Sequence, residues 1–179
     1  EESLKIINDS QKQAHDFLKH ADWLIATLGS SFSYRLTDEA DKASSSKGEG
    51  VANCHRAPSQ WFNKYLLTID EIISLLDTTY HRLKQFNPEL KIIFTISPVR
   101  HIRDGVIENN RSKARLIEAV HHILNKFSGL YYFPAYELVI DVLRDYRFYD
   151  IDMAHPNYPA TEFVMEKFKE NFIDEGSQQ

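Results

Sequence analysis

The chain has 179 residues, enough for one α/β domain and short for two, so a single domain over 1–179 is expected. With 42% hydrophobic and 26% charged residues it has the composition of a soluble globular protein. The formal net charge of −5, with no block of consecutive Lys and Arg, argues against a nucleic-acid partner, because phosphate binding needs clustered cations. No apolar run approaches the roughly 20 residues of a membrane span. The single cysteine, Cys54, leaves no internal disulfide and no Cys-cluster zinc site. The chain opens at Glu1 without a methionine, so the compartment, cytoplasmic or periplasmic, is not readable from it.

Leu4, Ile7, Ala14, Phe17 and Leu18 recur at near-helical spacing and predict an amphipathic helix from about Ser3 to His20. Trp23–Leu28 (WLIATL), ending at Gly29, reads as a strand buried on both faces, as in a parallel sheet. Asp38–Gly50 is polar, low in complexity and reads as a mobile loop. Ser59–Leu67 is expected to be a short helix. Thr68-Ile69-Asp70-Glu71 has capping-box spacing and opens a helix to about Phe86, which Asn87-Pro88 stops. Lys91–Ile96 (KIIFTI) is a second buried strand, followed by a helix from about Asn110 to Phe127. Leu130–Phe133 is a third strand, Ala135–Leu143 is helical, and Thr161–Ile173 forms the last helix. This alternation predicts an α/β fold, a parallel sheet with helices on both faces in a three-layer α/β/α sandwich. In such folds, sites gather beyond the carboxyl ends of the strands, which assembles Gly29 onward, Ser97–Asp104 and the loop after Phe133. Three strands are few for this architecture, so further elements are expected upstream of Glu1.

The strongest chemical signal is Asp152-Met153-Ala154-His155-Pro156, in a loop fixed by Pro156 and Pro159 before the last helix. A catalytic histidine needs an acceptor on one ring nitrogen so that the other can take a proton, and an aspartate three residues upstream provides one. A capping aspartate beside an exposed histidine fits the same string. Gly29 and Asn53 are suited to donate to an oxyanion, and both residue types also serve turns. Cys54 and His55, adjacent in an extended segment, point to opposite faces and do not make a nucleophile–base pair. Arg100 and His101 leave the second strand where substrate would lie; a surface salt bridge is the other role open to Arg100. His121 and His122, about 100° apart on a helix, cannot share a metal.

These segments together resemble the GSCFA family, a branch of the SGNH (GDSL-like) hydrolases. The matching stretches are ADWLIATLG at 21–29, VANCHRAP at 51–58, FTISPVRHIRDG at 94–105 with Asn110 and Ser112-Lys113-Ala114, FPAYEL at 133–138 and LRDYRFYDIDMAHP at 143–156. The resemblance implies an SGNH-like, flavodoxin-like fold with Asp152 and His155 as acid and base of a Ser-His-Asp triad. It makes Asn53, with Gly29, the candidate for the oxyanion hole. The Gly-Ser-Cys-Phe-Ala block that names the family, with its nucleophilic serine, is not present here. Gly29-Ser30-Ser31-Phe32-Ser33 looks like it but falls on the wrong strand, so Ser30 and Ser31 are minor candidates and the nucleophile is expected upstream.

The function implied is a serine esterase or acyl transferase acting on an ester-linked acyl group of a small molecule or glycan, with no metal or organic cofactor. The alternatives are a non-catalytic SGNH-like domain that binds a glycan or another partner, and a metal-dependent hydrolase using His101, Asp104 and His155.

Overall fold

The computed structural model describes residues 2–38, 50–52, 54 and 56–178. In chain order they form helix α1 (Glu2–His20) and strands β1 (Trp23–Leu28), β2 (Phe32–Leu36), β3 (Gly50–Val51) and β4 (Phe62–Leu66). Helix α2 (Ile69–Phe86), strand β5 (Lys91–Ile96), helix α3 (Val106–Lys126) and strand β6 (Leu130–Phe133) follow. The short helix α4 (Ala135–Glu137) runs into a π-helical segment, Leu138–Leu143, and helix α5 (Tyr158–Phe172) comes near the end.

The fold is α/β. Strands β1, β5 and β6 form a parallel sheet in the order β1-β5-β6, so the longest apolar strand, KIIFTI, lies in the middle. A central parallel strand is covered on both faces, which is why five consecutive residues of β5 are buried. Ile92 and Phe94 pack with Leu90 and Val120, and Leu18 and Leu24 close over this cluster. Ile96 joins Ile72, Leu116 and Ala119 on α2 and α3. Ile93 points the other way, into Phe133, Val164, Phe168 and Phe172. The period of two along β5 therefore assigns α2 and α3 to one face and α5 to the other.

The capping box of α2 is present: the Thr68 hydroxyl accepts from the Glu71 N–H while the Glu71 carboxylate accepts from the Thr68 N–H. Asn87, at the far end, donates to the Leu18 and Ala21 carbonyls and fastens the end of α1 to the turn before β5. Elsewhere α1 is solvent-exposed, and none of its residues is buried. Strand β1 stands at one edge of the sheet, with Trp23 and Ile25 exposed.

Three expectations are corrected. Trp23–Leu28 is not buried on both faces: as the edge strand it leaves Trp23 and Ile25 exposed while Leu24, Ala26 and Leu28 pack into the core. Ser59–Leu67 is not a helix beyond its first turn: Ser59–Trp61 is a 3-10 turn and Phe62–Leu66 is a strand. It pairs antiparallel with β2, in a second sheet of order β3-β2-β4. The FNKYL run has apolar residues at both ends, and the cross-strand partners Phe32–Leu66 and Leu36–Phe62 draw it into the sheet. The third helix begins at Val106, not near Asn110, because Gly105 at φ 81° lets the chain turn straight into it. The polar segment expected to be a loop, 38–50, lies mostly outside the described residues.

Candidate active site

Strands β1 and β5 end side by side, and the carbonyls of the residues just past them converge on one cation. The Lys113 ammonium donates 2.6 Å hydrogen bonds to both the Gly29 and Ser97 carbonyl oxygens. Lys113 is 1% exposed, and burial pushes its pKa down to about 8. Gly29 O also lies 3.1 Å from His101 Nε2. His101 is held from behind, its backbone N–H donating to the buried Asn109 Oδ1 at 2.9 Å. Gly29 and His101 thus meet at the sheet's carboxyl edge.

The loop before α5 supplies the Asp152–His155 pair. Its frame is local: Asp150 N donates to His155 O at 2.8 Å, Met153 N to Asp150 O at 2.9 Å, and Tyr149 bridges Pro156. Asn157 caps α5 through its Oδ1, while its Nδ2 donates to Arg147 O at 2.7 Å and Tyr149 O at 3.3 Å. Met153 sits at φ 56°, the left-handed residue that lets the turn close so tightly.

Within that frame Asp152 Oδ2 lies 2.5 Å from His155 Nδ1. Asp152 Oδ1 accepts from the His155 N–H at 3.0 Å and the Ala154 N–H at 2.9 Å. Hydrogen bonds from the His155 backbone, the His155 ring and the Ala154 backbone hold the Asp152 carboxyl down at about 2. An ionised carboxylate only accepts, so Nδ1 carries the proton in this contact and Nε2 of a neutral ring is the basic atom. Nε2 has no hydrogen-bond partner among the described residues.

One backbone hydrogen bond, Arg100 N to Ala154 O at 3.0 Å, brings this loop against the end of β5. A cleft of about 620 Å³ opens there, bordered by Arg100, His101, Asp104, Asp152 and His155. Its opposite wall comes from the small antiparallel sheet through Tyr34 and Lys64. Lys64 pairs with Asp104 and lies 4.3 Å from the centre of the Phe32 ring.

The structure therefore brings Arg100, His101, Asp152 and His155 to one cleft, with Gly29 touching His101. Asn53 and His55 lie outside the described residues. Ser31 is 1% exposed, and its hydroxyl donates to the Ser112 carbonyl or hydroxyl at 3.1 Å, so it is a structural pin between β2 and α3. Ser30 Oγ accepts from the Phe32 N–H at 2.9 Å and closes a turn. No three His, Cys, Asp or Glu side chains converge in metal-binding geometry among the described residues, so His101, Asp104 and His155 form no such group. No described helix is long and apolar enough to cross a membrane.

Sequence reasoning missed Lys113, Asn109, Asn157 and the second sheet. Lys113 had a readable signal, since it stands on the same stripe as Asn109, Leu116 and Val120, the buried face of α3. Asn157, two residues ahead of Pro159, has the pattern of a helix N-cap.

A parallel α/β sheet with a His–Asp pair in a cleft beyond its strands' carboxyl ends has the general layout of an acid–base site. Residues 1–168 match the GSCFA family, and the chain belongs to that family. No curated protein matches the chain.

Proposed function

We propose that this protein is a serine hydrolase of the SGNH type, an esterase or acyl transferase acting on an ester-linked acyl group of a small molecule or glycan. The observation that carries the reading is the 2.5 Å contact between Asp152 Oδ2 and His155 Nδ1, at the rim of the cleft. Asp152 sets the tautomer and ring orientation, and His155 Nε2 takes the proton from the attacking hydroxyl and returns it to the leaving oxygen. Asn53 and the Gly29 N–H stabilise the oxyanion in this scheme, and Arg100 and His101 hold substrate. The reaction draws on no metal or organic cofactor. Ser31 is pinned to Ser112, Ser30 closes a turn and neither lines the cleft, so neither serves as the attacking serine in this scheme. The same two serines support a second reading, a non-catalytic domain that keeps the fold and binds a glycan or another partner.

The test is hydrolysis of p-nitrophenyl acetate by the full-length encoded protein, with fluorophosphonate labelling to locate the serine. His155→Ala should lower kcat by ~10⁶-fold and Asp152→Asn by less, ~10⁴-fold. A folded His155→Ala protein that hydrolyses the ester at the normal rate refutes the assignment. Absence of labelling and turnover in the wild-type protein favours the binding domain.

A further inference from the structure

The turn that carries Asp152 and His155 is also a partition between two cavities. Asp152, Ala154 and His155 line the cleft described above, whereas Met153 lines a second one of about 510 Å³. Arg100 borders both. The left-handed backbone at Met153, φ 56°, is what turns its side chain away from those of its neighbours.

The second cavity is apolar in a way that packing does not require. Ile102, Val106, Tyr136, Ile140 and Met153 supply its apolar lining, and Asn109 and Asn110 add two amide groups beside them. Val106 is 78% and Met153 48% exposed, so these side chains gather around a concavity without filling it. Scattered apolar residues on a surface are ordinary, but several around one hollow of ligand size form a seat.

The polar end is equally specific. The Arg100 guanidinium lies 4.1 Å from the Tyr149 ring centre and 5.1 Å from that of Tyr146. No carboxylate pairs with it among the described residues. Tyr149 itself is 7% exposed, packed beneath the guanidinium. A cation with no carboxylate partner among the described residues thus borders a hollow whose lining is largely apolar.

We infer that this second cavity seats the aliphatic chain of a straight-chain carboxylic acid, with Arg100 holding the carboxyl oxygens where the two cavities meet. In the ester the same chain places the acyl carbonyl beside His155; in the released product the carboxylate pairs with Arg100. The inference rests on the ester-hydrolase proposal for its role and deepens it by naming the acyl group.

Isothermal titration of the protein with butanoate, hexanoate and octanoate tests it without reading turnover. Affinity should rise by up to about fourfold per added methylene, the value for a buried CH₂. Val106→Trp, at an exposed position, should flatten that dependence while leaving the far-ultraviolet circular dichroism unchanged, and Ile140→Trp is the second variant. Arg100→Gln should weaken all three acids about tenfold and preserve the slope, as expected for loss of one charged hydrogen bond. Equal affinity for the three acids, or an unchanged slope in both tryptophan variants, overturns the inference. Chain-length-dependent binding by a protein that cleaves no ester leaves the seat standing and sinks the hydrolase proposal. Ester cleavage with flat binding does the reverse.

Discussion

Lys113 should make the stability of this protein rise with alkaline pH, and Lys113→Met should abolish that rise. The residue is 1% exposed and its pKa falls from an ordinary 10.5 to about 8 through burial. Below pH 8 both folded and unfolded chains hold the proton, so this group contributes no slope. Between 8 and 10.5 the unfolded chain binds a proton that the folded chain has released, and stability therefore increases with pH. Above 10.5 neither state binds it and the gain is complete. At ~1.4 kcal/mol per pH unit between the two pKa values, the gain is roughly 3 kcal/mol. Deprotonation does not break the local structure, because a neutral amine keeps two N–H donors for the Gly29 and Ser97 carbonyls.

Methionine removes the charge and both donors. Gly29 O keeps its contact with His101 Nε2, and Ser97 O is left without this donor. An unsatisfied buried carbonyl costs about 1–3 kcal/mol, similar to what is recovered by no longer burying an ammonium, so the two proteins should be close in stability at pH 7. The discriminating quantity is the difference between them. Urea unfolding of both at pH 7, 8, 9 and 10.5 cancels groups common to the two chains, and the wild type should pull ahead by roughly 3 kcal/mol across that range. A constant difference across the series would mean that Lys113 titrates normally, and the reasoning would fail.

Two further outcomes follow from the loop before α5. The Asp152 carboxyl should titrate at about 2 when its ¹³C carboxyl shift is followed by NMR, so its pairing with His155 persists at pH 3 and is lost only as pH falls through 2; a midpoint near 4 would show that the pair does not form. Asn157→Ala removes the α5 cap and two hydrogen bonds to Arg147 O and Tyr149 O, and should cost about 1–3 kcal/mol by thermal unfolding, whereas an unchanged Tm would contradict this role.

The parallel sheet was legible in the sequence because its strands are continuous apolar runs between helical periodicities. Trp23–Leu28, Lys91–Ile96 and Leu130–Phe133 appear where those runs lie. The antiparallel sheet was not legible. Phe32–Leu36 mixes Ser and Arg with aromatics, and what makes it a strand is its backbone pairing with the distant segment Phe62–Leu66. Such long-range partners leave no local trace. At the site, Asp152 and His155 could be read because their contact spans three residues. Lys113 could not be placed against Gly29 and Ser97 without the fold, since those partners lie just past two separate strands.

The frame around Asp152 and His155 has a consequence for how this protein can change over time. The hydrogen bonds that shape the loop, from Asp150 to His155, Met153 to Asp150 and Asn157 back to Arg147, begin and end within residues 147–157. It meets the β5 end through the Arg100 main-chain amide, which donates to Ala154 O, and through the Arg100 guanidinium over the Tyr149 ring. Substitutions in the sheet or in the outer helices can therefore alter stability without altering the 2.5 Å approach of the pair. The segment behaves as a cassette: its interior is under tight constraint, while the scaffold that carries it is free to diversify.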